Sequence, residues 1–267
     1  MGCHDPPISR EFDAPPMGLN LSPILNHVNN PLILNNIKLT TEKVYTRFHE
    51  IIKKLNNWHA ESSLSSLNIL VSLYGDWINE KPNRFIILSK GHASLALYTI
   101  YLELGIINDE DIENFGAPGS KLQPHPEGKT LPGILVSTGS LGQGLSIAAG
   151  LAFAARINKQ DTEIAVVIGD GELDEGQIWE AAATISSNKL DNIIVLIDRN
   201  HKQLCGETEK IKSKEPLAMK WEAFGWCVFK INNNRETITE TLKKVSEIKD
   251  KPKVIIIETN NEKLIGY

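Results

Sequence analysis

Four short apolar runs, Ile164 to Ile168, Ile193 to Ile197, Cys227 to Lys230 and Val254 to Glu258, alternate with stretches of helical period over 175–187, 216–224 and 236–249. Strands that are apolar throughout cannot leave one face in water, and a helix between successive strands returns the chain to the same end of a sheet. The pattern therefore demands an α/β fold: a mostly parallel sheet with helices on both faces. Upstream, Phe85 to Leu88 reads as one more buried strand, and helices are expected over 41–55, 62–73, 93–104, 109–115 and 141–157. Thr40 or Thr41 is placed to cap the first of these. Residues 116–139 break into Gly, Pro and His, a loop long enough to suggest a functional role. Residues 1–36 carry six prolines and read as an extended arm, so the division is an arm over 1–36 and one domain over 37–267.

Composition removes several classes of function. With 28 Lys and Arg against 33 Asp and Glu, the net charge is −5, which argues against nucleic-acid binding through clustered basic residues. The longest aliphatic runs are far too short to span a bilayer, so no membrane association is expected. Three scattered cysteines form no disulfide framework and no zinc-finger spacing, and no signal peptide is visible; the expected location is the cytoplasm.

The segment Ala165-Val-Val-Ile-Gly-Asp-Gly171 carries the chemistry. A buried strand ends in Gly169-Asp170-Gly171 and a helix follows, the place where open parallel sheets bind ligands. Glycine amides at such a turn suit a phosphate, but Asp170 repels one unless a cation lies between. The next glycine, Gly176, is too distant for a dinucleotide fingerprint. A hard divalent cation bridging Asp170 to a diphosphate resolves the conflict. The next strand ends in Asp198-Arg199-Asn200, one strand–helix–strand unit further on; if the two strands are neighbours, the Asn200 amide reaches the same cation, with the Lys202 carbonyl as a third ligand.

Gly-Asp-Gly followed some thirty residues later by Asn at a strand end is the thiamine-diphosphate signature, and the chain resembles the N-terminal, diphosphate-binding half of transketolase. The resemblance runs from about Thr41 to Thr259. It rests on Leu88-Ser-Lys-Gly-His-Ala-Ser94, Gln123-Pro-His-Pro-Glu127, Ser137-Thr-Gly-Ser-Leu-Gly-Gln-Gly144, Gly169-Asp-Gly-Glu-Leu-Asp-Glu-Gly176, Asp198-Arg-Asn200 and Trp221-Glu-Ala-Phe-Gly-Trp226. It implies the three-layer thiamine-diphosphate-binding fold, with thiamine diphosphate and Mg2+ (or Ca2+ or Mn2+) as cofactors. Asp170, Asn200 and the Lys202 carbonyl would hold the metal, Gly169 and Gly171 would lie at the diphosphate, and Gly139 and Leu141 would meet the pyrimidine ring through their backbone. His59, His92 and His125 match three histidines of the substrate channel, and Glu175 matches a glutamate at the dimer interface. Such histidines are needed because an oxyanion and sugar hydroxyls exchange protons around the reacting carbonyl.

The chain length matches the free-standing N-terminal subunit of a split transketolase. The implied partner is a C-terminal transketolase-like chain that supplies the activating glutamate, in a heterotetramer of two of each, acting on a sugar or sugar phosphate. Departures from the family pattern fall on the substrate side. Trp58 and Glu61 stand where the family keeps glycines, Pro124 precedes His125, His201 follows Asn200 in place of Gly, and Glu258 to Tyr267 replaces a Lys-Gly-x-Gly loop with a further histidine. A specialised substrate is the expectation. Two other readings stay open: 2-oxo acid decarboxylation with acyl transfer, and a catalytically degenerate scaffolding subunit. Among the remaining polar residues, Glu172 and Asp174 read as acids favouring a helix N-terminus, His4, His27 and His49 as surface or packing residues, and the lysines of 249–253 as a solvated face. Cys227 reads as the start of a buried strand and Trp221 and Trp226 as packing residues.

Overall fold

A computed structural model describes residues 39–55 and 59–259. The N-terminal arm with His4 and His27, the segment holding Trp58 and the C-terminal replacement beyond Thr259 lie outside the described residues.

Five strands form the main sheet: β1 Arg84–Leu88, β2 Glu163–Gly169, β3 Ile193–Arg199, β6 Cys227–Asn232 and β7 Lys253–Glu258. Every pairing is parallel, and the spatial order is β1-β2-β3-β7-β6. Two further strands, β4 Lys202–Gln203 and β5 Gly206–Glu207, form a small antiparallel hairpin just after β3. Nine α-helices are found among the described residues: α1 Thr41–Lys54, α2 Ala60–Gly75, α3 Ser94–Glu103, α4 Asp109–Glu113, α5 Gln143–Ile157, α6 Gly176–Ser187, α7 Thr208–Ile211, α8 Leu217–Ala223 and α9 Arg235–Ser246.

The strands alternate their side chains between two cores, as period-two geometry requires. Ile86, Leu88, Ala165, Val167, Ile194, Leu196, Ile255 and Ile257 face α1, α2, α3 and α9. Phe85, Ile87, Ile164, Val166, Ile168, Val195, Ile197 and Ile256 face α5, α6 and α8. The three-layer expectation is met. Helix starts follow local capping chemistry: Thr40 accepts from the Lys43 amide at 3.4 Å, Asn108 and Asp111 form a reciprocal capping box, and Asn234 accepts from the Thr237 amide at 2.8 Å. Trp221 and Trp226 are buried and pack edge to face at 4.8 Å, as read from the sequence.

Two expectations fail. Cys227 is only half-buried, because β6 is the sheet edge and its residues are partly exposed along much of its length. Lys253 does not belong to a solvated face: it is 3% exposed, opens β7, and donates to the carbonyls of Asp191 and Ile248. Burial pushes its ammonium down to about 8. Its stem packs beside the strand while its head closes loop carbonyls, a position a run of lysines does not disclose.

Helix α5 shows how closely the layers approach. A Cβ on Gly144 would run into the Ser89 side chain at the end of β1, whereas one on Gly150 would meet nothing within 4 Å. Gly150 lies on the exposed side of the same helix. Substituting Gly150→Ala is predicted to raise the free energy of unfolding by about 0.5–1 kcal/mol, and Gly144→Ala to lower it by about 1–3 kcal/mol, in parallel denaturant titrations.

Candidate active site at the carboxyl edge of the sheet

The register places Gly169 opposite Asp198, so the carboxyl ends of β2 and β3 abut and the turns that follow them share one space. Asp170 leaves β2 into a short 3-10 turn, Gly171–Asp174, which runs into α6. Its carboxylate is 1% exposed. The Oδ2 atom accepts from three donors: Arg199 Nη1 at 2.9 Å, the His201 amide at 2.8 Å and Thr208 Oγ1 at 3.4 Å. The Oδ1 atom accepts from no donor among the described residues. Burial raises the pKa of this carboxyl, the neighbouring Asp198 raises it further, and Arg199 opposes both. Asp170 therefore does not serve as a helix cap; it is a buried carboxylate with one oxygen held by three donors.

Asn200 precedes the His201 amide that reaches Asp170, its own Nδ2 donating to Ser65 Oγ at 3.2 Å and its Oδ1 accepting from the Lys202 amide at 3.0 Å. That ring makes an Asx turn, which sends the chain sharply into the β4–β5 hairpin. His201 within the turn has φ 61°, in the left-handed region where glycine is the usual occupant. Its Nε2 lies 2.9 Å from Glu258 Oε2 on β7, which anchors the side chain outward. The Lys202 ammonium pairs with Glu61 at 2.9 Å, so an acid in the first turn of α2 reaches the loop after Asn200. Gly171 packs so tightly on this hairpin that a Cβ would come within 2.8 Å of Gln203 Cβ.

The two turns bury more charge than the motif alone displays. Asp198 accepts from Ser65 Oγ at 2.5 Å, Ser66 Oγ at 3.2 Å, Lys90 Nζ at 2.6 Å and Thr259 Oγ1 at 3.1 Å. Arg199 bridges Asp170 to Glu209, the latter at 2.5 Å. Glu172 does not act as a helix-terminal acid: it is 2% exposed and accepts from Ser89 Oγ, the Gly142 amide and the Gly169 amide. Asp174 is half-buried and pairs with the buried Lys214 at 2.8 Å and the exposed Lys212 at 3.7 Å. Lys90, Arg199, Glu172 and the serines of α2 are residues that the motif reading passed over; the polar triplet at the end of the apolar run 193–197 was the available signal for Arg199.

The three histidines converge from three distant stretches. The His59 and His92 rings lie 5.7 Å apart. Next to His92, a Cβ on Gly91 would come within 2.8 Å of the Gly139 amide nitrogen. Gly139, at φ 131°, is itself in contact with the His125 ring, where a Cβ would approach to 2.8 Å. Bare glycine backbone thus lets the 137–142 loop lie between the His92 and His125 segments. His92 is pushed down to about 4, by burial first, then by Lys90 and by His59 and His125. His59 is lowered by burial and by His125. His49 instead meets the Tyr45 carbonyl at 2.7 Å, on α1 and away from this group.

Leu141 is half-buried in the same loop, and Glu175 is exposed at the start of α6, with its β-carbon beside Gly142. Among the described residues, three or more His, Cys, Asp or Glu do not cluster as a metal cage. One carboxylate, one amide oxygen and backbone carbonyls are what this edge offers a hard cation, a donor set that leaves positions for phosphate and water. No described helix is long and apolar enough to cross a membrane.

Residues 43–267 match the family model of the transketolase thiamine diphosphate binding domain. One subunit of the apulose-4-phosphate transketolase of Phocaeicola vulgatus is 39% identical over 240 residues, covering 86% of this chain and 85% of the relative. The 6-deoxy-6-sulfo-D-fructose transketolase subunit SqwG of a Clostridium species is 37% identical over 218 residues, 79% of each chain. The crystal structure of transketolase from Campylobacter jejuni superposes with a TM-score of 0.65 at 28% identity, over 81% of this chain and 36% of that longer one. The chain spans about a third of the length of such solved transketolases. An all-parallel sheet whose paired strand ends carry Gly-Asp-Gly and Asp-Arg-Asn, matched along nearly its whole length, identifies the chain as a member of the transketolase family, within its thiamine-diphosphate-binding domain.

Proposed function

We propose that the chain is the diphosphate-side subunit of a two-chain transketolase that transfers a two-carbon ketol unit between sugars, using thiamine diphosphate and Mg2+. One observation carries this reading. Asp170 is buried with Oδ2 held by Arg199, the His201 amide and Thr208, while Oδ1 has no donor among the described residues. A carboxylate so held presents one oxygen to a cation and cannot swing away.

The charge balance fits the group. Among the described residues, three carboxylates, Asp170, Glu172 and Asp198, are buried at this edge; Lys90 pairs with Asp198, and Arg199 is shared between Asp170 and Glu209. A divalent cation adds the missing positive charge and then accepts diphosphate oxygens. Asp170 and Asn200 would hold it by side chain and Lys202 by its carbonyl; Mn2+ or Ca2+ suits the same donors. Gly169 and Gly171 bring bare backbone to the diphosphate, and Gly139 and Leu141 line the ring side. When bound, thiamine diphosphate supplies an electron sink for breaking the carbon–carbon bond beside a ketose carbonyl.

The chain's own residues orient the substrate and handle protons. His59, His92 and His125 would face the carbonyl oxygen and hydroxyls. His92, with its pKa pushed down to about 4, is a neutral imidazole at working pH, able to donate from one ring nitrogen and accept at the other. Glu175 stands exposed where a second chain would meet the cofactor loop. That partner is a C-terminal transketolase-like chain bringing the activating glutamate, in a 2+2 heterotetramer. The relatives named as transketolase subunits support a split enzyme, and their names support a modified sugar or sugar phosphate as substrate. The charged bridge from Glu61 to Lys202, where the family keeps a glycine, supports a specialised substrate over an ordinary pentose phosphate. Free Cys205 and Cys227 fit a reducing cytoplasm.

Substituting Asp170→Asn is predicted to weaken Mg2+-dependent thiamine diphosphate binding at least about tenfold by calorimetry and to abolish ketol transfer in the reconstituted two-chain enzyme. Undiminished binding would refute the metal assignment. The pH dependence of stability tests His92. Between pH 6.5 and 4 the unfolded chain binds a proton that folded His92 refuses. The contribution is fully present above pH 6.5 and is lost as pH falls toward 4. His92→Asn should therefore flatten the loss of unfolding free energy across that window, by at most about 1.4 kcal/mol per pH unit. An unchanged slope would show that the imidazole is solvated.

A further inference from the structure

We propose that Glu172 is a positioning residue that locks the ring-side loop of the cofactor site to its metal-side turn. The proposal rests on the cofactor reading above. The residue stands outside the motif positions assigned to metal or diphosphate, and its location explains a carboxylate that nothing else in the site requires.

Three chain segments meet at this one group. Ser89 Oγ–H donates to Oε1 at 2.5 Å from the end of β1, three residues before His92. The Gly142 N–H donates to the same oxygen at 2.8 Å, from the loop that carries Gly139 and Leu141. The Gly169 N–H donates to Oε2 at 3.1 Å, from the residue before Asp170. Gly142 sits at φ 84° just before α5, with no side-chain cap there, so its amide has this carboxylate as its partner. Glu172 is 2% exposed, and a charged acid this deep is retained only where its oxygens are well satisfied.

The geometry divides the work between the two oxygens. Oε1 gathers the ring-side loop and the His92 strand end; Oε2 gathers the metal-side turn. Moving either segment alone strips a buried amide of its acceptor, which is costly. The loop at 139–142 and the turn at 169–171 are therefore held as a unit before any cofactor arrives, so both ends of a bound cofactor are read by one rigid frame. Replacing the acid by an amide keeps its shape, but the new NH2 group faces a donor on one side.

Amide hydrogen exchange on the full chain tests this, with Glu172→Gln as the main variant and Ser89→Ala as a milder one that leaves the carboxylate in place. Without ligand, exchange in the 139–144 segment should be about tenfold faster in Glu172→Gln, while the buried strands β2 and β3 exchange as in the parent. With Mg2+ and thiamine diphosphate added, the parent should show slowed exchange in 139–144 and 169–176 together. Glu172→Gln should show it in 169–176 alone, and Ser89→Ala should fall between. Uniform acceleration throughout the chain, or joint protection of both segments in Glu172→Gln, would overturn the assignment while leaving the cofactor reading intact. Protection of neither segment in the parent would overturn the cofactor reading and this proposal with it.

Discussion

The structure turns on how charge is compensated at one edge of a parallel sheet. Two neighbouring strands deliver Asp170 and Asp198 side by side, at the point where their register ends, and neither acid can reach bulk water. Lys90 and Arg199 answer them, Lys90 on Asp198 and Arg199 on Asp170. Around these pairs, serines of α2 and Thr259 donate to Asp198, and Thr208 donates to Asp170 Oδ2. Buried ion pairs of this kind are weak grounds for stability but strong determinants of geometry, since removing one partner strands the other. They fix which oxygen of Asp170 is used up and which is left.

Glycine does the complementary task of bringing backbone close. Gly91, Gly139, Gly144 and Gly171 each sit where an added carbon would strike a neighbour at 3 Å or less. The loop 137–142 can therefore lie between the His92 and His125 segments, and the turn after β2 can press on the β4–β5 hairpin. Histidines separated by long stretches of sequence end in one group because these backbone surfaces fit without side chains. Burial and mutual charge lower the pKa of both His59 and His92, so both disfavour the charged imidazolium.

Much of this was legible in the sequence. The apolar runs at 164–168 and 193–197 announced parallel strands, and the spacing from Asp170 to Asn200 suited one strand–helix–strand unit; that the two strands are neighbours was a condition of that reading, and the register meets it. The histidine segments were legible through family resemblance, not through spacing. Glu172 was misread because its partners lie 83 and 30 residues away, at Ser89 and Gly142; locally it looks like any acid before a helix. Lys253 was misread for a similar reason, since a lysine-rich stretch hides the residue that starts a central strand. The β4–β5 hairpin left no apolar pattern to read: two residues a side, held by the Asn200 turn and by contact with Gly171.

The central claim is that the oxygen left over on Asp170 receives a cation that carries diphosphate. Its most direct test is a crystal structure of the chain with its partner subunit, grown with thiamine diphosphate and Mn2+, with anomalous diffraction recorded for manganese. The account predicts a manganese peak bonded to Asp170 Oδ1, the Asn200 amide oxygen and the Lys202 carbonyl, with Oδ2 still held by Arg199. A peak elsewhere, or a bound cofactor with no metal at Asp170, would contradict it.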